Sequence, residues 1–198
     1  MENITVQNVI ISKQIENSEN YERFIEIVKR KKINVIQVQA GDRIYLDKDT
    51  SFDIIWPEKE QISENVLNNN SIVAKLNYKK ISILFTGDIE EIAEKQIIKK
   101  YGAKLKSNIL KAAHHGSKSS TIQEFVDLVK PQIALIGVGD KNTFGHPNIG
   151  VLLRLENIGA QIFRTDKMRW SIYDNNWKRR SKNSNTNKCI NCQILQII

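Results

Sequence analysis

Two apolar segments that each end in polar residues organise this chain: ISILFTGD at residues 81–88 and SNILKAAHHGSKSS at residues 107–120. Each is predicted to form a buried β-strand. The first strand stops at Thr86-Gly87-Asp88, and the second stops at His114-His115-Gly116-Ser117. In an open α/β sheet, ligands bind where strand ends lead into loops. Asp88 and the histidine pair are therefore expected at one sheet edge, where such side chains can hold a metal ion together.

Structural alternatives exist for each of these residues. Asp88 could be the N-cap of a helix that begins near Ile89, because its carboxylate could accept N–H groups of the first turn. Ser117 or Ser120 could cap a helix that starts near Thr121 in the same way. The two histidines could be ordinary loop residues, although imidazole is the commonest metal ligand and acid–base side chain.

A third motif, NTFGHP at residues 142–147, follows these two. In this order, FTGD, LKAAHHGSKSS and NTFGHP resemble the metallo-β-lactamase-fold domain of ComEC-type DNA-internalisation competence proteins and their stand-alone hydrolase relatives. TGD alone is common, whereas HHGSxxS after TGD and before GHP is specific. The resemblance covers about Thr5 to Lys167. It implies an αββα sandwich with two metal ions at the rim between the sheets.

The resemblance also implies roles for individual residues. Asp88 would bridge the two metal ions and His114 would be a terminal ligand, with Zn²⁺ as the expected metal and Mn²⁺ as an alternative. In an intact site of this kind, the metals lower the pKa of bound water and polarise a phosphoryl group. His146 would protonate the leaving oxygen, or would instead pack against Pro147 as a loop residue. The candidates for substrate contact are His115, Ser117, Lys118, Ser120 and Asn142, of which Ser117 and Lys118 would lie beside a helix N-terminus that suits a phosphate oxygen.

The family's first metal-binding motif, of the HxHxDH or HxDxDH kind, does not occur in this sequence. The three histidines are His114, His115 and His146. A hydrolytic zinc takes about three protein ligands, so these residues do not complete a binuclear centre on the family plan. The resemblance thus implies the carboxy-terminal portion of the domain, weakly active or inactive alone. A partner polypeptide could supply the missing motif.

The composition is typical of one globular domain, with 198 residues, 40% hydrophobic and 26% charged. The formal charge of +8 falls to +3 without the five cations of residues 178–188, so it is weak evidence for nucleic-acid binding. Neither a membrane span nor a signal peptide is predicted. The location stays open: it is cytoplasmic by default, but extracytoplasmic in the membrane-anchored relatives of the resembling family. The CxxC pair Cys189 and Cys192 is interpreted as incidental.

The pattern along the chain predicts hairpins first and strand–helix alternation later, which is typical of an α/β layered fold with a mixed sheet. Its first half is expected to be incomplete, so that one sheet lacks strands and exposes an edge. Helices are predicted at about 19–31 (capped by Ser18), 90–100, 122–129 and 148–158. Strands are predicted at 6–11, 33–38, 44–46, 52–56, 71–76, 81–85, 109–113, 133–138 and 160–164. The polar segment 58–70 is predicted to be a loop.

Residues 1–167 are predicted to form a partial metallo-β-lactamase-like domain. Residues 168–198 are predicted to form a basic, Asn-rich tail that packs poorly, through a natural extension or a reading-frame change near Met168; the frame change is the favoured hypothesis. Three functions remain open on the sequence. They are a metal-dependent hydrolase for phosphodiester or nucleic-acid substrates, a non-catalytic binding or structural remnant of the same fold, and a basic nucleic-acid-binding module.

Overall fold

The computed structural model of the protein describes residues 4–14 and 18–167. Its strands are β1 (Asn8–Ile11), β2 (Asn34–Gln37), β3 (Arg43–Tyr45), β4 (Thr50–Trp56), β5 (Val73–Tyr78), β6 (Ile81–Phe85), β7 (Ile109–Lys111), β8 (Ile133–Ile136) and β9 (Gln161–Arg164). Its α-helices are α1 (Glu19–Lys31), α2 (Val66–Asn69), α3 (Glu91–Tyr101), α4 (Gln123–Val129) and α5 (Ile149–Asn157). Short 3-10 turns lie at Gly102–Leu105 and Ala113–Gly116.

Strands β3 to β9 form a seven-stranded sheet in which the strands lie side by side in chain order. The strands from β3 to β6 pair antiparallel, and those from β6 to β9 pair parallel. In the parallel half, Leu84 lies opposite Leu110, and Leu110 lies opposite Ala134. The carboxyl ends of β6, β7 and β8 therefore meet at one edge, where ligands bind in open α/β sheets.

Four layers are stacked in the order α, β, β, α. Helices α3, α4 and α5 cover one face of the large sheet, with Ile97, Phe125 and Leu155 fully buried against it. On the other face, Ile10 of the two-stranded parallel sheet β1–β2 packs in one apolar cluster with residues of β4 and β5. Helix α1 covers the outer side of that small sheet, where Val28 packs on Val9.

This arrangement confirms the predicted α/β class and the layered αββα sandwich with an incomplete amino-terminal half. The small sheet has two strands in the described residues, and its apolar cluster reaches β3 to β6 of the large sheet. The predicted order of early hairpins and later strand–helix alternation is also confirmed by the antiparallel and parallel halves of the large sheet.

Local signals explain where the helices begin and end. The hydroxyl of Ser18 accepts the N–H of Tyr21 at 3.2 Å, so it is the predicted N-cap of α1. Helix α3 carries acidic residues in its first turn and Lys99 and Lys100 in its last, as the helix dipole favours.

The prediction of a loop over residues 58–70 is wrong in part, because the four-residue helix α2 lies within it. Its asparagines are structural: Asn69 and Asn70 are fully buried. The amide of Asn70 bonds to the backbone of Ile62 and Val66 at 2.8 to 2.9 Å. Trp56 donates its indole N–H to the carbonyl of Asn69. The polar groups of this segment therefore form hydrogen bonds within the protein, whereas the polar composition suggested that they would bond to solvent.

The predicted tail, its frame change near Met168 and the CxxC pair lie outside the described residues, and the domain boundary after Lys167 stays a prediction. Of the helices in residues 4–14 and 18–167, none combines the length and the apolar character required to traverse a bilayer.

Candidate functional site

Three loops meet at the carboxyl edge of the parallel strands. Asp88 follows β6, the histidine pair follows β7, and Gly137 follows β8. The backbone N–H of His114 and the ammonium group of Lys111 both donate to the carbonyl of Gly87, at 3.1 Å and 3.0 Å. These bonds tie the TGD turn to the HHGS turn, so the sheet places the two motifs together as expected.

Asp88 and His115 face each other at the centre of the site. The Nε2 atom of His115 lies 4.0 Å from Oδ1 of Asp88. The Nδ1 atom of His115 lies 2.6 Å from the carbonyl oxygen of Gly137. A carbonyl accepts hydrogen bonds only, so Nδ1 must carry the proton, and in the neutral ring Nε2 then presents its lone pair. A carbonyl partner of this kind is what orients metal-binding or acid–base imidazoles.

His114 lies beside Glu90 and His146. Its Nδ1 atom lies 3.4 Å from Oε1 of Glu90 without hydrogen-bond geometry, and it is a buried nitrogen with no hydrogen-bond partner. Its ring centroid lies 5.9 Å from that of His146. The structure therefore brings His115 to Asp88 and His114 to Glu90 and His146. The choice of His114 as the metal ligand stays a prediction.

Both histidines adopt left-handed backbone conformations, with φ of 45° at His114 and 55° at His115. Such conformations cost of order 1–3 kcal/mol for residues other than glycine and cluster at functional sites. The turn is held from below by Ser120, whose hydroxyl donates to the carbonyls of Ala113 and Ser117 at 3.1 Å.

Glu90 is a site residue that the sequence interpretation missed. Its carboxylate accepts hydrogen bonds from Asn65 and Ser119, both at 2.9 Å. Burial acts to raise the pKa of Glu90, but these two bonds and the neighbouring His114 outweigh it and hold the pKa below its ordinary value. A negative charge thus lies beside the His114 ring. The sequence signal that could have pointed to Glu90 as a site residue is its place two positions after the TGD motif.

Lys111 is a second missed residue, although it stands inside the quoted LKAAHHGS motif. Its Nζ atom lies 3.8 Å from Oδ1 of Asp88. Burial lowers the pKa of Lys111, and the Asp88 carboxylate opposes that shift. A cationic side chain therefore stands beside the carboxylate that the resemblance assigns to metal ions.

The GHP motif forms the third wall of the site. The side chain of Asn142 accepts the N–H of His146 and donates to its carbonyl, both at 3.0 Å, so Asn142 shapes the loop that carries His146. Burial, followed by the charges of His114 and His115, lowers the pKa of His146. The lowered pKa favours the neutral imidazole, and the role of His146 as a proton donor stays a prediction.

These loops enclose a cavity of about 440 Å³. That volume lies in the range of small-molecule sites. The cavity is lined by residues 137–139 and by Lys111, His115, Asn142, Phe144 and His146.

The predicted serine cap at the start of α4 is corrected by the structure. The N-cap of α4 is Ile122, and the carboxylate of Glu94 accepts the N–H groups of Thr121 and Ile122 at 2.6 Å and 2.9 Å. The alternative in which Ser117 or Ser120 caps this helix is therefore wrong. The carboxylate of Glu94 lies just before this helix, and the expectation of a phosphate near Ser117 and Lys118 stays a prediction.

Of the HHGSKSS residues that were predicted to contact a substrate, Ser120 is excluded by its burial, and the contacts of Ser117 and Lys118 stay predictions. Ser120 is fully buried, so it supports the turn and cannot reach a ligand. Ser117 is 6% exposed, and its hydroxyl bonds to that of Ser119 at 3.0 Å. Lys118 is exposed and does not line the cavity.

The interpretation of Asp88 as a helix cap is wrong as well. Helix α3 begins at Glu91, and its N-cap position is Glu90. The side chain of Asp88 instead faces Lys111 and His115.

The donor types of the site suit a divalent metal, but their number does not. Asp88 and His115 approach each other, whereas no group of three His, Cys, Asp or Glu residues within residues 4–14 and 18–167 is arranged to hold a metal ion. A catalytic zinc takes about three protein ligands. The described residues alone therefore do not fit the Zn²⁺ centre that the resemblance implies.

No family model matches the chain. Its sequence is 29% identical to ComE operon protein 3 of Bacillus subtilis (strain 168) over 162 residues, which are 82% of this chain and 20% of that protein. It is 32% identical to competence protein ComA of Neisseria gonorrhoeae, over 58% of this chain and 16% of that protein. It is 33% identical to Recombination protein 2 of Haemophilus influenzae, over 50% of this chain and 12% of that protein.

These similarities confirm the predicted resemblance to ComEC-type competence proteins. The chain spans a fifth or less of the length of these relatives. Its structure is similar, with a TM-score of 0.47 and 11% identity, to that of a protein from Parabacteroides distasonis ATCC 8503 that is provisionally described as a metal-dependent hydrolase. That likeness covers 81% of this chain and 76% of the other.

Proposed function

We propose that this chain contributes one wall of a metal-dependent hydrolase site for phosphodiesters, of the kind that its resemblance to competence proteins implies. The observation that carries the proposal is the approach of Nε2 of His115 to the Asp88 carboxylate at 4.0 Å. The other ring nitrogen of His115, Nδ1, is held by the carbonyl of Gly137. An imidazole and a carboxylate so placed are zinc ligands by type.

No third His, Cys, Asp or Glu in residues 4–14 and 18–167 is grouped with this pair to hold a metal, so the site needs metal ligands beyond Asp88, His115 and His114. A partner polypeptide or another segment could supply them. His114 is a further candidate metal ligand, because its Nδ1 has no hydrogen-bond partner and Glu90 lies beside its ring. What the chain provides without further ligands is an oriented carboxylate and imidazole beside a cavity of about 440 Å³.

Zinc affinity tests the assignment of the donors. The full chain is prepared with Cys189→Ser and Cys192→Ser, because a CxxC pair can bind zinc by itself. Zinc binding is then measured by competition with a chromogenic chelator. We expect weak binding that Asp88→Asn and His115→Ala each weaken by about tenfold or more, whereas Asp127→Asn, an exposed carboxylate on α4, leaves it unchanged.

Zinc affinity that is the same in Asp88→Asn and in the parent protein would contradict the proposed site. His114→Ala decides whether the second histidine also binds the metal. Hydrolysis of bis(p-nitrophenyl) phosphate with added Zn²⁺ or Mn²⁺ provides the activity measurement. Metal-stimulated hydrolysis that Asp88→Asn abolishes supports the hydrolase function.

A second candidate function, binding without catalysis, is favoured by Lys111. Its ammonium group lies 3.8 Å from Asp88 and so supplies positive charge where metal ions would otherwise be needed. This candidate predicts that phosphodiester ligands bind equally well in EDTA and in zinc. Binding that requires zinc contradicts it and favours the hydrolase.

A further inference from the structure

Phe144 is exposed to an extent that is unusual for a large apolar side chain. It is 81% exposed, more than any other large hydrophobic side chain for which the structure gives an exposure. Its ring lies nearly parallel to that of His146, at an interplanar angle of 17° and a centroid distance of 5.9 Å. A ring that is open to solvent and also lines a cavity is free to contact a ligand bound there.

The loop that presents Phe144 is held in place on both sides of the ring. Asn142 bonds through its amide to the backbone of Gly139 and of His146, at 3.0 to 3.1 Å. Pro147 is buried against Gly116 of the HHGS turn. The aromatic ring is therefore displayed from a fixed loop, so that little conformational freedom is lost when a ligand packs on it.

The cavity beside Phe144 has the chemistry of a nucleotide site. Lys111 lines it and offers an ammonium group to a phosphate, although the Asp88 carboxylate also lies 3.8 Å from that group. Aromatic faces beside a cationic groove are the features by which proteins bind single-stranded nucleic acids, because each base offers a flat π-face. A base inside a duplex is already stacked on its neighbours and is not available to such a ring.

We infer that Phe144 is the stacking platform for one unpaired nucleobase of a single-stranded nucleic acid whose adjoining phosphate lies in the cavity at Lys111. This inference rests on the proposed phosphodiester site and names its substrate class and a specificity-determining residue. The ring distinguishes nucleic-acid strands from phosphodiesters that carry no base.

The test compares two fluorescein-labelled 12-mers, oligodeoxythymidylate and the same backbone with abasic tetrahydrofuran units. Binding to the full-length chain is measured by fluorescence anisotropy in EDTA, so that no hydrolysis takes place. We expect the base-containing strand to bind roughly tenfold more tightly than the abasic one. Phe144→Ala should remove that preference and Phe144→Trp should retain it. The cations of residues 178–188 attract both backbones alike, so the ratio of the two affinities isolates the contribution of the base.

Tyr45→Ala is the matched control, because Tyr45 is an exposed aromatic residue on β3 that does not line the cavity. Equal affinities of the parent protein for the two strands, or an unchanged preference in Phe144→Ala with a native circular dichroism spectrum, would overturn the inference. A preference that depends on Phe144, found together with zinc affinity that Asp88→Asn leaves unchanged, keeps the inference and contradicts the proposed metal site. Metal-stimulated hydrolysis without a preference for the base-containing strand supports the hydrolase and contradicts the role inferred for Phe144.

Discussion

At the scale of single residues, Glu94 shows how a buried charge supports the site from a distance. Its side chain lies on α3 and is fully buried, and its two carboxylate oxygens receive the N–H groups of Thr121 and Ile122. Arg154 donates to the carbonyls of Thr121 and Ser120, so it braces the same segment from α5. The backbone that follows the HHGSKSS loop is thus bound by the carboxylate of Glu94, whereas the sequence suggested a serine cap.

Stability should fall with rising pH because of Glu94. Burial raises its pKa from 4.5 to about 7. Between these values the folded state binds more protons than the unfolded state, so the stabilisation is complete below pH 4.5 and is lost as the pH rises through 7. We expect a loss of about 1–3 kcal/mol in the free energy of unfolding across this window, measured by urea denaturation at several pH values.

The variant Glu94→Gln cannot ionise, so its urea midpoint should change much less between pH 5 and 8 than that of the parent protein. Glu124→Gln, an exposed carboxylate on α4, is the matched control and should retain the parent's pH dependence. Identical pH dependence in Glu94→Gln and the parent would contradict the role assigned to Glu94.

At the scale of elements, the site depends on the contact between the HHGS turn and the GHP loop. Gly116 has φ of +79°, and a Cβ added to it would lie 2.6 Å from Cβ of Pro147. The N–H of Asn148, the N-cap of α5, donates to the carbonyl of Gly116 at 2.9 Å. The absence of a side chain at Gly116 therefore lets the two loops meet and brings His146 beside His114.

Gly116→Ala should lower the free energy of unfolding by about 1–3 kcal/mol, because the added methyl group meets Pro147 and because alanine disfavours this φ. Gly139→Ala is the matched control: an added Cβ there has no neighbour within 4 Å, and the change expected is within about 0.5 kcal/mol. Urea denaturation of both variants measures the difference. Equal stabilities would show that the loops can separate without cost.

The sequence allowed most elements to be predicted because their signals are local. Ser18 and the spacing of apolar residues defined α1, and the alternation of strands and helices after residue 81 gave the parallel half of the large sheet. The convergence of Asp88 with the histidine pair also followed, since strand ends in such sheets share an edge.

What could not be predicted arises from contacts between residues distant in sequence. Glu94 caps a helix that begins 29 residues later, and no local pattern marks such a carboxylate. The orientation of His115 depends on the carbonyl of Gly137 from another strand. The burial of Asn69 and Asn70 depends on Trp56 and on the backbone around them, so composition alone suggested a solvated loop.

At the scale of the whole molecule, the two sheets differ in how much apolar surface supports them. The large sheet and helices α3 to α5 share a cluster that includes the fully buried Leu84, Leu110 and Phe125. The small sheet and α1 share a cluster of three buried residues, and the side chains of β2 are exposed. Because local stability follows buried apolar contacts, the amino-terminal layer should open before the rest.

Native-state hydrogen exchange measures this difference directly. Amides of β1, β2 and α1 should exchange at least about tenfold faster than those of β6, β7 and β8, through an opening that leaves the large sheet intact. The paired amides of β4 and β5 provide an internal reference, because they lie on the face that the small sheet covers. Faster exchange there, in step with β1, would show that the small sheet protects that face, whereas uniform protection across both layers would contradict the proposed hierarchy. The loops of the site lie on the large sheet, so they should stay ordered while the amino-terminal layer opens, and Asp88 and His115 should remain together.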